Sequence, residues 1–146
     1  MRKIVYICFL IFISCNKEAK NINIHRSDIK IELEKNHLFL AEYKRTLVIF
    51  QKNIEINNVS LQNDVGIGCN SYLFESNTFF ILVDCNSQWL KIYKKSNKIE
   101  EMGYYWNKVP DEKYIGTFVF NMNSKKLKFV KEESLDVNKM YLYGGG

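Results

Sequence analysis

The chain has 146 residues, 47% of them hydrophobic and 25% charged, with 21 basic and 16 acidic side chains for a net charge of +5. That length supplies one domain with a single core. Beyond Arg2 and Lys3, the bases are spread from Lys17 to Lys139 and interleaved with acids as on a solvated surface, which argues against a nucleic-acid footprint.

The first element is an export signal. Arg2 and Lys3 make a basic start, and Ile4 to Ile13 make an uncharged apolar run of ten residues. At about 1.5 Å rise per residue, this run covers about half the hydrocarbon thickness, so it predicts a signal peptide and not a spanning helix. Phe12-Ile13-Ser14-Cys15 resembles the lipobox of bacterial lipoproteins, with Phe12 where the family usually has leucine. The resemblance covers residues 1–15 and implies cleavage after Ser14, a diacylglyceryl group on the Cys15 thiol and acylation of the new amino terminus. Two or three acyl chains hold a protein stably on a membrane. Asn16 stands where enterobacterial lipoproteins retained at the inner membrane carry aspartate, and Lys17-Glu18 resembles the surface-export signals of Bacteroidetes lipoproteins, with one acid only. The resemblance therefore implies the cell envelope, at the outer membrane, facing the periplasm or the surface.

Removal of residues 1–14 leaves 132 residues with 19 bases and 16 acids, a charge of +3. Residues 15–27 are expected to be the lipidated cysteine and a flexible polar tether, ending in a short strand. Residues 28–143 are expected to form the β domain, and 144–146 a disordered tail. In that domain the dominant period is two. Ile29, Ile31 and Leu33 alternate with Lys30, Glu32 and Glu34, the pattern of a half-buried strand. A turn at Lys35-Asn36 leads to a second strand over His37 to Tyr43. Thr46 to Phe50 is a short apolar run, Lys52-Asn53 a turn, and Ile54-Glu55-Ile56 resumes the alternation, with its continuation through Val59 and Leu61, past Asn57-Asn58, left open. Then come Ser71 to Glu75, Thr78 to Cys85, Gln88 to Lys94, Lys98 to Tyr105, Tyr114 to Asn121 and Lys125 to Lys131. Turns at Ser76-Asn77, Asn86-Ser87, Ser96-Asn97 and Asn123-Ser124 separate them. The spacing predicts an all-β fold, an antiparallel β-meander closed into a small sandwich or barrel. Phe79 to Val83 is apolar on both faces and is expected at the sheet centre, covered from two sides. Glu132 to Tyr143, with Ser134 as N-cap, is the candidate for a short C-terminal helix.

Export loses Cys8 with the signal and commits Cys15 to lipid. Cys69 and Cys85 then enter an oxidising compartment as a pair expected to form a disulfide. A three-residue loop at Ser76-Asn77-Thr78 places them directly opposite, within bonding reach. A two-residue loop instead sets Cys69 opposite Asp84. Val83 to Lys94 also echoes Phe120 to Lys131 as a second strand–turn–strand unit. Phe79 to Lys98 looks like one such unit of an NHL-type β-propeller blade, but 132 residues cannot supply four blades.

Chemistry is sparse. The histidines, His25 and His37, lack acid or cysteine partners at ligand spacing, so no metal and no cofactor is expected. No nucleophile elbow is present, and Gly66-Ile67-Gly68 lacks the rest of a phosphate-binding pattern. Glu100-Glu101, Asp111-Glu112 and Glu132-Glu133 are neighbours, and neighbours on a strand point to opposite faces. Lys91, Lys94, Lys95 and Lys98 read as a solvated edge or a mild basic patch. The best binding candidates are the aromatics beside Gly103 and Pro110, namely Tyr104, Tyr105, Trp106 and Tyr114. They either offer contact area or plug one end of the fold. Trp89 lies mid-strand and is expected in the core.

No catalytic residues are expected, and the leading expectation is a non-enzymatic protein-binding or inhibitor/immunity-type lipoprotein. The alternatives are a structural accessory subunit of an envelope assembly and a glycan-binding lipoprotein. The expected partners are the membrane, through the anchor, and an envelope protein, with no nucleic acid.

Overall fold

The structure, a computed structural model, describes residues 22–24, 27–40, 42–66, 68–121 and 126–141. The signal peptide, Cys15, His25, the Asn123-Ser124 turn and the glycine tail lie outside those residues. Two antiparallel sheets face each other, as the alternating pattern predicts. The first has the sequential order β1 (Ile22–Ile24), β2 (Ser27–Lys35), β3 (Tyr43–Gln51) and β4 (Ile54–Asp64). Ile29 and Ile31 of β2 and Tyr43, Leu47 and Ile49 of β3 point inward. Lys52 and Asn53 both adopt positive φ, 52° and 65°, the two-residue turn whose twist suits a hairpin.

The second sheet contains β5 (Ser71–Glu75), β6 (Phe79–Val83), β7 (Gln88–Tyr93), β8 (Ile99–Tyr104), β9 (Lys113–Asn121) and β10 (Lys126–Lys131). Its order is β10-β9-β5-β6-β7-β8. The meander therefore runs through β5–β8, and the β9–β10 hairpin crosses back to the free edge of β5. Burial explains the crossing, because Ser71 to Phe74 are all buried and need partners on both sides, whereas Glu100 and Glu101 leave β8 as an exposed edge.

The sheet is covered on both faces, as expected for Phe79 to Val83. On the inner face Leu73, Phe80, Leu82, Leu90, Ile92, Phe118 and Leu127 pack against the first sheet. On the outer face Tyr72, Phe74, Ile81, Val83, Trp89 and Tyr114 form a second cluster, with Tyr105, Leu135 and Met140 packed on it. Leu47, Leu73, Leu82 and Leu90 are 0% exposed, and burying such a side chain is worth about 1.5–3 kcal/mol.

Gly116 marks a bulge where the β5–β9 register shifts, and its φ is +151°. A Cβ there would meet the Val130 carbonyl and the Phe129 ring. Gly116→Ala is expected to cost about 1–3 kcal/mol, read as a lower urea midpoint with an unchanged slope.

Several local expectations are corrected. His37 to Tyr43 is not a strand. The His37 Nδ1 accepts the N–H groups of Phe39 and Leu40 at 3.2 and 3.3 Å, giving the backbone a local alternative to sheet pairing. β3 therefore begins at Tyr43. β1 is, by contrast, the short strand expected at the end of residues 15–27, with Ile22 opposite Ile29.

The β5–β6 loop has two residues, as one alternative held, but it is shifted from the position that would set Cys69 opposite Asp84. Tyr72 faces Val83 and Glu75 faces Phe80, and Ser76 N bonds Phe79 O, so the loop is Asn77-Thr78. Cys69 and Cys85 are nonetheless bonded, with Cα atoms 5.9 Å apart, because both lie past the strand ends. The two echoing hairpins differ by one residue in register, since Val83 faces Trp89 but Phe120 faces Leu127. The helix is shorter than expected: α1 spans Val137–Tyr141, and Asp136, not Ser134, caps it by accepting from the N–H groups of Asn138 and Lys139. Lys91 is on β7, between β6 and β8, and so is not at an edge.

Candidate functional site

The four candidate aromatics divide two and two. After β8, Tyr105 N donates to Ser87 O at 2.9 Å and the Tyr105 hydroxyl donates to Met102 O at 2.9 Å. Its ring packs 4.9 Å from that of Trp89, tilted by 54°. Trp89 is core, as its mid-strand position predicts. With Tyr105 pinned inward, its neighbours turn outward, leaving Tyr104 59% and Trp106 50% exposed. Gly103 at φ 113° and Asn107 at φ 55° supply the bends on either side.

Tyr114 belongs to the outer-face cluster. Its ring lies 5.5 Å from that of Phe74, and its hydroxyl bonds Thr117 Oγ1 at 2.5 Å and Glu132 at 2.6 Å. Burial, reinforced by the Glu132 hydrogen bond, holds this phenol well above its ordinary value. Tyr105 and Tyr114 therefore pack into the outer-face cluster, while Tyr104 and Trp106 are exposed.

Beside Tyr114 lies a cleft of about 780 Å³ between the outer face of the second sheet and the C-terminal segment. Tyr72, Tyr114 and Thr117 form its floor, with Glu132, Leu135 and Lys139 along its wall. The Tyr72 hydroxyl donates to Lys139 O at 3.1 Å, tying α1 to the sheet. The polar groups at the floor are spent on one another, which suits a structural seam better than an acid–base pair.

The residues least visible beforehand sit between the sheets. Arg45, 0% exposed, grips Asp84, 4% exposed, with two nitrogens at 2.9 Å each. Ser71 Oγ accepts from Arg45 at 2.6 Å and donates to Asp84 at 2.5 Å, and the Cys85 sulfur lies 2.9 Å from Arg45 Nη1. Next to this group the buried Asp64 carboxylate accepts the N–H groups of Gly66, Gly68 and Cys69. One signal could have exposed Arg45: it shares inward parity with Tyr43, Leu47 and Ile49, so its charge needs a partner inside.

Glu100, Glu101, Lys91 and Lys94, singled out in the sequence, have separate partners. Glu100 pairs with Lys98 at 3.5 Å and accepts from the Tyr93 hydroxyl, while Glu101 accepts from Gln88. Lys94 pairs with Glu75 at 2.7 Å, and Lys91 lies 4.0 Å over the Phe79 ring. No protein family, curated protein or solved structure matches this chain.

Proposed function

We propose that this chain is a lipoprotein of the cell envelope, fastened to the outer membrane by acyl chains on Cys15 and facing the periplasm or the surface. Its β domain acts as a non-enzymatic module that binds a protein, in the manner of an inhibitor or immunity protein. The signal and lipobox supply the location. The observation that carries the binding role is the exposed pair Tyr104 and Trp106, flanking the half-buried Tyr105, whose ring packs on Trp89. Large aromatics on a rigid frame lose little conformational entropy on binding and offer both apolar area and a polar handle.

Affinity capture from intact envelopes with the full-length protein tests this reading. A single envelope protein is expected at 1:1, with Tyr104→Ala or Trp106→Ala weakening capture by about tenfold or more. Capture untouched by both substitutions would overturn it. Recovery only inside a large detergent-stable assembly would make the chain a structural accessory subunit. Retention on a sugar column, abolished by Trp106→Ala, would make it a glycan binder.

A further inference from the structure

Exposed apolar side chains gather at one end of the first sheet. Leu38, Phe39 and Leu40, in the loop joining β2 to β3, are 79%, 90% and 59% exposed. Val65, immediately after β4, is 68% exposed. Register brings them to the same end, because Tyr43 is paired with Lys35 on one side and Asp64 on the other. Connecting loops ordinarily carry polar residues, and neighbouring exposed apolar side chains mark an interaction surface.

The loop is also held in place. Asn36 N bonds Glu42 O at 2.9 Å, Lys35 Nζ donates to Leu38 O at 3.1 Å, and the His37 ring takes the N–H groups of Phe39 and Leu40. The N–H groups of Asn36, Phe39 and Leu40 are bonded within the loop, while the side chains of Leu38, Phe39 and Leu40 are exposed.

Chain direction says what meets this tip. β1 is antiparallel to β2, with Ile22 opposite Ile29 and Ile24 opposite Ser27, so the chain enters the sheet from the Lys35 end. Seven residue steps separate Cys15 from Ile22, a maximum reach of about 23 Å at about 3.3 Å per step. The stretch of β2 from Ile29 to Lys35 covers about 20 Å at the same rise. An anchor on Cys15 therefore has the length to meet the membrane at the Lys35 end of the sheet, where the loop begins. The nearby charges balance, with Lys35 and Lys44 against Glu34 and Glu42, so apolar contact and not headgroup charge is the attraction.

We propose that Leu38, Phe39, Leu40 and Val65 dip into the bilayer interface beside the acyl chains of Cys15 and fix the orientation of the domain on the membrane. The proposal rests on the anchor reading given above. It gives the lipid a second contact that stops the domain from swinging on its tether. Tyr104 closes β8 beside the 85–87 turn, and the disulfide ties that turn to the chain just after Val65. A protein met at Tyr104 and Trp106 would therefore be met near the membrane surface.

The test uses the full-length protein processed in a bacterial host and reconstituted into phosphatidylcholine vesicles, with plain or acyl-chain-brominated lipid. Mass spectrometry of the same sample reports whether Cys15 is acylated. The variants F39W and V65W each add a tryptophan at an exposed site, and circular dichroism confirms that the fold is kept. Bromines on the acyl chains are expected to reduce the added fluorescence about twofold or more, equally in vesicles containing phosphatidylglycerol, with little change in the wild type. Acylated protein whose F39W and V65W signals are not quenched overturns the membrane contact and leaves the anchor standing. Absence of acyl mass on Cys15 overturns the anchor, and the contact with it.

Discussion

Arg45→Met is expected to destabilise the domain by about 3–5 kcal/mol, because it strips the partner from a carboxylate that cannot reach water. Asp84 is 4% exposed, and without the guanidinium it keeps the Ser71 hydroxyl as a donor. Asp84→Asn should be comparably harmful for the opposite reason, leaving the cation of Arg45 buried against a neutral amide. Such a loss is a large share of the about 5–15 kcal/mol that holds a typical domain together. The expected signature is a lower urea midpoint for both variants, since the pair joins β3 of one sheet to the end of β6 in the other. The double variant R45M/D84L separates the need for pairing from the worth of the pair. Removing both charges together is expected to recover most of the loss, because ion pairs buried this deeply often do little better than apolar packing. A double variant as unstable as R45M would show that the geometry of the fork itself holds the sheets in register. Full stability in R45M alone would remove Arg45 from the account of the core.

Much of the fold was legible because its strands are short, alternating and divided by Asn and Ser turns. β5, β7 and β9 fall within one or two residues of their predicted bounds. One feature was local but hidden by composition, and two kinds of information were not local. Leu38, Phe39 and Leu40 look like buried strand by composition, and only the bonds to His37 and their exposure reveal a loop tip. The return of β9 to β5 depends on which edge most needs covering, a property of the assembled sheet. Arg45 and Asp84 lie 39 residues apart, and no spacing rule links a base on one strand to an acid at the end of another. The aromatic segment was found by composition, but its division depended on contacts. Trp89 draws Tyr105 inward, and Glu132 and Thr117 hold Tyr114, which leaves Tyr104 and Trp106 as the exposed pair.

The second large effect is expected on opening the disulfide. Cys69 and Cys85 are separated by 16 positions in the chain, and closing a loop of that size contributes on the order of 3 kcal/mol. C69A/C85A and the reduced wild type are expected to unfold at similarly lowered urea midpoints. The far-ultraviolet circular dichroism of the folded state should be unchanged, because neither cysteine lies within a strand. The bond also has neighbours that depend on its position. Cys69 N donates to the Asp64 carboxylate beside Gly66 N and Gly68 N, and the Cys85 sulfur touches Arg45 Nη1. Just past Cys85, Asn86 and Ser87 adopt φ of 54° and 60°, and Ser87 O receives Tyr105 N. The bridge therefore links the ion pair to the segment that presents Tyr104 and Trp106. Combining C69A/C85A with R45M should cost less than the separate losses added together, by about 1 kcal/mol, since groups in contact rarely act independently. Strict additivity would mean that bond and ion pair stabilise separate parts of the fold. If partner capture by the reduced protein falls well before global unfolding, the bridge's main task is to hold the aromatic pair in place.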